Sequence, residues 1–148
     1  MKSLKELVND IETFCTAHEM IKTFKYGDFN VLNEDKDFKP IQVECYPTTA
    51  NNDEKTFTTG LDIAFLDKCK DDFSNLLDIH SKTLEAANDL INTFVNGDES
   101  VIEVRLTYTV QLTNFEPITS EKNNRLQGWL VSFEVSQFNN QDGCNVPI

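Results

Sequence analysis

Glycine, proline, histidine and positive charge are all scarce in this chain. Its 148 residues hold five Gly, four Pro, two His and one Trp, with 13 Lys and Arg against 25 Asp and Glu. Five scattered glycines leave no room for a phosphate-cradling loop. The net charge of −12 opposes nucleic acid and anionic membranes, and no cluster of Lys or Arg supplies the basic patch that phosphate binding needs. No run approaches the roughly 18 apolar residues of a membrane span. At the start, Glu6, Asn9 and Asp10 interrupt any apolar leader, so no targeting signal is expected and the chain is expected to stay in a cytoplasm. The four cysteines, Cys15, Cys45, Cys69 and Cys144, show no Cys-x-x-Cys spacing. That argues for free or buried thiols over a disulfide framework or a zinc site.

What is abundant is apolar patterning. Hydrophobic residues make up 39% of the chain and eleven are Phe, enough for a core in one domain. From Ile102 to Thr113 every even position is apolar and every odd one polar. Trp129, Val131, Phe133 and Val135 repeat the pattern within Gln127–Gln137. Period-two alternation of this length predicts strands with one buried face. Ile41, Val43 and Cys45 predict a strand that Pro47 ends. Phe57 to Phe65 predicts another over 56–67, joined to the first by a long polar tip. Phe24, Tyr26, Phe29 and Val31 suggest a short extended piece, broken near Gly27.

Two helices complete the set. Ser3 and Glu6 form a potential capping box, ahead of Leu4, Leu7, Val8, Ile11, Phe14 and Cys15 at helical spacing, which predicts a helix over 4–18. A broad stripe from Phe73 to Val95 predicts a second, over 73–96, capped by Asp71 and Asp72 and closed by Asn96-Gly97. The order α-β-β-β-α-β-β predicts an α+β fold: an antiparallel sheet of four to five strands covered on one face by two helices. Residues 1–137 form the expected domain and 138–148 an interaction tail.

Catalytic chemistry finds little footing. There is no Gly-x-Ser-x-Gly elbow. Cys15 and Cys45 fall on apolar faces, where a thiol is inert, and acidic neighbours of Cys69 counter Lys68 and Lys70. His18 is expected to offset the dipole at the end of the first helix, and His80 to be a hydrogen-bonded residue at the core edge. The carboxylates of the loops, Glu34, Asp35, Asp37, Asp53, Glu54, Asp67, Asp71, Asp72, Asp98 and Glu99, lack calcium-loop spacing and suit a solvated acidic rim. No catalytic, cofactor-binding or metal-binding residue is assigned.

One connection stands out. Asn114 to Arg125 is far longer than the two to five residues a hairpin needs. Its Phe115, Pro117 and Ile118 suggest an arm that touches a partner, unless the strands run on into it. Val146, Pro147 and Ile148 form an apolar end suited to docking on a neighbouring subunit or on the core. Deleting 115–121 is expected to spare the fold and weaken assembly.

Several phrases carry a resemblance. They are Glu44-Cys-Tyr-Pro47, Phe65-Leu-Asp67 followed by Lys and Asp, Ser74-Asn-Leu-Leu-Asp-Ile-His80, Leu126-Gln-Gly-Trp129 and Gly143-Cys-Asn-Val-Pro-Ile148. With the order of elements, they make the chain resemble tail-completion or tail-terminator-like neck proteins of tailed bacteriophages, especially of Bacteroidetes prophages and crAss-like phages. The resemblance implies a non-enzymatic virion protein without cofactor, assembled in the host cytoplasm into six- or twelve-fold rings at the head–tail junction. Its implied partners are further copies of itself and other neck, portal-adaptor or tail proteins, with DNA as non-specific passing cargo and no membrane. It carries over no active-site residue. The acidic balance is compatible with a channel wall that repels DNA phosphates, an effect screened over roughly 8 Å at physiological salt. Two rivals remain: a small acidic metal- or ligand-binding α+β protein or enzyme, and an acidic mimic of DNA.

Overall fold

A computed structural model describes residues 2–27, 40–70, 72–97, 108–118 and 126–139. The capping box forms: Glu6 N–H donates to Ser3 Oγ at 3.2 Å and Ser3 N–H to Glu6 Oε2 at 2.6 Å. Those bonds satisfy two orphan amides and hold the exposed Glu6 carboxyl below its ordinary pKa. Helix α1, Leu4–Ala17, follows, and buries Leu7, Val8, Ile11, Phe14 and Cys15. Helix α2, Leu76–Phe94, buries Ile79, Thr83, Ala86, Ala87, Leu90, Thr93 and Phe94.

The second helix starts later than the apolar stripe predicts. Phe73 lies in the left-handed region, with φ of 58°, so the helix cannot run through it. Asp72 does not cap the helix; it accepts Ser74 N–H at 3.0 Å, while Asn75 Oδ1 accepts Lys70 N–H at 2.8 Å. Asp71 lies outside the described residues.

Five strands form one sheet: β1 Thr23–Tyr26, β2 Gln42–Asn52, β3 Thr56–Lys68, β4 Thr109–Ile118 and β5 Leu126–Phe138, in spatial order β1-β2-β3-β5-β4. The fold is α+β with a sheet and two helices, as the element order predicts. The sheet, however, is mixed: β1 runs parallel to β2, and all other neighbours are antiparallel. The connection 27–41 is long enough for the crossover that parallel pairing requires. Pro47 does not end its strand. It is absorbed at a bulge between Pro47 and Thr49, on the side of β2 that β1 does not reach, where a missing N–H costs no ladder bond. The expected long tip is correspondingly tight, closed by reciprocal bonds between Asp53 and Thr56.

Both helices lie on the same sheet face. Val43, Cys45, Leu61, Ile63, Phe65, Val131, Phe133, Val135 and Val110 point into one cluster with the apolar sides of α1 and α2. The other face carries a smaller buried cluster of Ala64, Leu66 and Leu126, with Ile118 and Leu130 against it. Gln42 and Glu44 are also fully buried there, Gln42 Nε2 donating to Glu44 Oε1 at 3.0 Å. Gly128 is required at this end of β5, because a Cβ would strike the Phe65 carbonyl.

The two chain ends of the described core are tied together. Lys2 N–H donates to Gln137 Oε1 at 2.7 Å and Gln137 Nε2 returns to Lys2 O at 3.0 Å. Lys2 Nζ and Tyr108 Oη share Asp10 Oδ2, at 2.8 and 2.7 Å. Burial and the Asp10 carboxylate push the Tyr108 phenol upward in pKa.

Candidate functional site

The proposed arm resolves in part into strand. Phe115, Pro117 and Ile118 belong to β4. A bulge between Leu112 and Asn114 shifts the alternation by one residue. Even positions face the helices up to Leu112, and odd ones after it. Phe115 is therefore half-buried, its ring centroid 5.1 Å from that of Trp129. Ile118 packs against the second-face cluster, and Pro117 is exposed in the row of Trp129. Removing 115–121 would strip packed residues from an edge strand, so the expectation that it spares the fold is corrected. Val146, Pro147, Ile148 and Cys144 lie outside the described residues.

The histidines serve packing and positioning. His18 Nε2 donates to Asp89 Oδ2 at 2.8 Å, and Nδ1 accepts Met20 N–H at 3.2 Å. An imidazole with hydrogen on Nε2 satisfies both bonds, and neither nitrogen is left to take a proton from a substrate. The ring pins the end of α1, where His18 is the C-cap residue, to α2. His80 accepts Trp129 Nε1–H at its carbonyl, 3.1 Å, and meets the indole edge to face at 6.4 Å. Its Nε2 is buried without a hydrogen-bond partner among the described residues.

Cys15, Cys45 and Cys69 are buried. Burial raises the Cys15 thiol and pushes Cys45 up to about 12, which removes the thiolate that nucleophilic attack needs. Among the described residues no group of three or more His, Cys, Asp and Glu is placed to hold a metal ion, and no helix is long and apolar enough to cross a membrane.

Two surface features could engage other molecules. A groove of about 430 Å³ lies between α1 and β1, lined by Leu4, Val8, Phe24 and Tyr26 with Lys5, Asn9 and Glu12 at its sides. The second feature is a set of exposed apolar side chains: Phe73 at 59%, Leu77 at 80% and Phe138 at 88%. Leu77 and Leu84 do not belong to the buried stripe of α2, contrary to the broad stripe read from sequence. At 100° per residue they project to a flank shared with Ser81 and Asn88. The opposite flank carries Asp78, Lys82, Glu85 and Asp89. One flank of the helix is thus charged, with Asp89 reaching His18, and the other is uncharged.

A third feature escaped the alternation pattern altogether. Residues Pro47–Asn52 of β2 are exposed and, among the described strands, pair only with β3. Pro47 read as a stop hid this half-strand in the sequence. No family model matches the chain, and no curated protein matches it in sequence.

Proposed function

We propose that this chain is a structural, non-catalytic assembly subunit, a ring-forming component of a phage neck or head–tail junction that surrounds the DNA channel. The observation that carries the assembly reading is the exposure of Phe73, Leu77 and Phe138 on a chain of net charge −12. Large apolar side chains displayed on so acidic a surface suit contact with other protein. Phe73 adds a second cue, since its left-handed backbone costs roughly 1–3 kcal/mol and strain of this kind clusters at functional surfaces. Placement at the phage neck rests on the sequence phrases quoted above.

Native mass spectrometry of the purified chain tests the proposal, the expected species being a closed ring. A protein that stays monomeric and also fails to join purified portal or tail components would sink it.

The groove beside β1 favours a second reading, a small-ligand protein. Its volume falls within the roughly 300–1,000 Å³ of known ligand pockets. Thermal unfolding with Ca²⁺, Mg²⁺, Mn²⁺, Zn²⁺ and a panel of small apolar ligands separates the two, because a bound ligand raises the midpoint. No shift across the panel would remove this reading.

A further inference from the structure

We infer that Asn96 is a site of spontaneous deamidation in the folded protein, where water converts it to aspartate and isoaspartate just past the end of α2. Of the five glycines, only Gly97 follows an asparagine. The atoms that must join are the Asn96 carboxamide carbon and the Gly97 amide nitrogen. A side chain on the second residue would shield that nitrogen, and glycine has none.

The fold leaves this pair of residues open to reaction. Both are exposed and lie beyond Phe94, the last residue of α2. Inside a helix the Gly97 N–H would bond the carbonyl four residues back. Among the described residues no hydrogen bond takes it up, so the nucleophile faces solvent. Gly97 has a φ of 73°, and a Cβ built on it would meet nothing within 4 Å, so no packed neighbour blocks the peptide unit that must turn. The carboxamide is held only at the surface, where Asn96 Nδ2 donates to Asn92 Oδ1 at 2.9 Å. Other asparagines are better protected. Asn9, Asn88 and Asn92 lie inside helices and Asn51 and Asn114 inside strands, each followed by a residue with a side chain.

The step balances with water alone. Hydroxide removes the Gly97 amide proton, and the nitrogen forms a bond to Asn96 Cγ. The Cγ–Nδ2 bond then breaks, and ammonia leaves with a proton from water, which restores the hydroxide. Water opens the resulting cyclic imide at either carbonyl. Opening at Cγ gives aspartate. Opening at the backbone carbonyl gives isoaspartate, whose main chain runs through the former side chain. No atom changes oxidation state. Both products set a new carboxylate beside the carbonyl end of α2, where negative charge is unfavourable and the last turn offers no basic residue. Asn92 loses the Nδ2 donor as well. Phe94 and Val95, which hold this end of the helix on the core, are the adjoining residues.

Ageing the full chain in mildly alkaline buffer, followed by peptide mapping with fragmentation mass spectrometry, tests the inference. The mass gain of an amide-to-acid exchange should appear at Asn96 before any other asparagine, with aspartate and isoaspartate both present there. Its rate in the folded protein should fall within about tenfold of that in the urea-unfolded chain, the most that a single exposed hydrogen bond can hold back. Asn96→Gln should abolish the gain, and Gly97→Ala should slow it severalfold. Asn96→Asp should reproduce the lower thermal midpoint of the aged protein, a drop of about 1–4 °C. Conversion confined to the unfolded chain would show that the fold protects Asn96 and would overturn the inference. A gain that comes first at another asparagine, or that persists in the same peptide of Asn96→Gln, would overturn it too.

Discussion

The two halves of β2 share one strand and have opposite surroundings. Gln42–Cys45 lies between β1 and β3 and is buried throughout, including two polar side chains. Among the described residues Pro47–Asn52 has β3 on one side only, and it is exposed throughout, including Ala50. Composition alone would assign them the other way, with Gln and Glu outside and Ala inside. Neighbouring strands and cover decide burial here. The same division runs across the sheet. The rows of Gln42 and Val43 hold Leu66, Gly128 and Phe65, whereas the row of Thr49 ends in the exposed Glu134 and Gln111.

Substitutions in the two halves should separate sharply. Phe65→Ala, in the buried half, is expected to cost about 3–5 kcal/mol in urea denaturation, since it removes a fully buried ring from the helix-covered core. A cost near that of a surface change would mean the buried half is not packed as described. Gly128→Ala should cost about 1–3 kcal/mol, because the new methyl meets the Phe65 backbone. Gly60→Ala meets the Thr48 and Thr49 hydroxyls, which can rotate aside, and the Thr49 backbone nitrogen at an ordinary 3.4 Å. Its loss should be the smaller of the two, and equal losses would erase the distinction.

Alkaline pH offers a third probe. The folded state keeps the Cys45 proton from an ordinary 9.0 up to about 12. Above pH 9 the unfolded chain therefore binds fewer protons than the folded one, so stability falls as pH rises through this window. Cys45→Ala should flatten that fall while leaving the contributions of Cys15 and Tyr108, which are raised in the same direction. An unchanged slope between pH 9 and 11 would argue that Cys45 is not sealed in the core. The smallest folding effect is expected from Ala50→Lys, within about 0.5 kcal/mol.

Much of the architecture was legible from periodicity. The capping box of Ser3 and Glu6, the inward set Trp129, Val131, Phe133 and Val135, and the inward Cys45 all follow from local rules. Three features did not. The parallel pairing of β1 depends on contacts distant in sequence. The continuation of β2 through Pro47 depends on that residue falling at an open edge, which no local pattern reveals. The bulge at Leu112–Asn114 reversed the phase of β4, so Phe115 read as an exposed arm residue when it packs on Trp129. At the surface, Leu77 and Leu84 carried a readable signal. They sit a heptad apart and about 120° and 100° from Thr83, outside the buried arc. The functional reading was not legible in any single motif.

The place of β5 has a consequence for how this protein is made. The last described strand is inserted between β3 and β4, and it pairs with β3 along its whole length. During synthesis, therefore, α1, β2, β3 and α2 all leave the ribosome before the strand that completes their sheet exists. Sequence-distant pairing of this kind slows folding and prolongs the life of unpaired strands. The nascent chain passes through a stage in which β3 is itself an open edge. Its acidic net charge then keeps neighbouring nascent chains apart until Leu126–Phe138 arrives to close the gap.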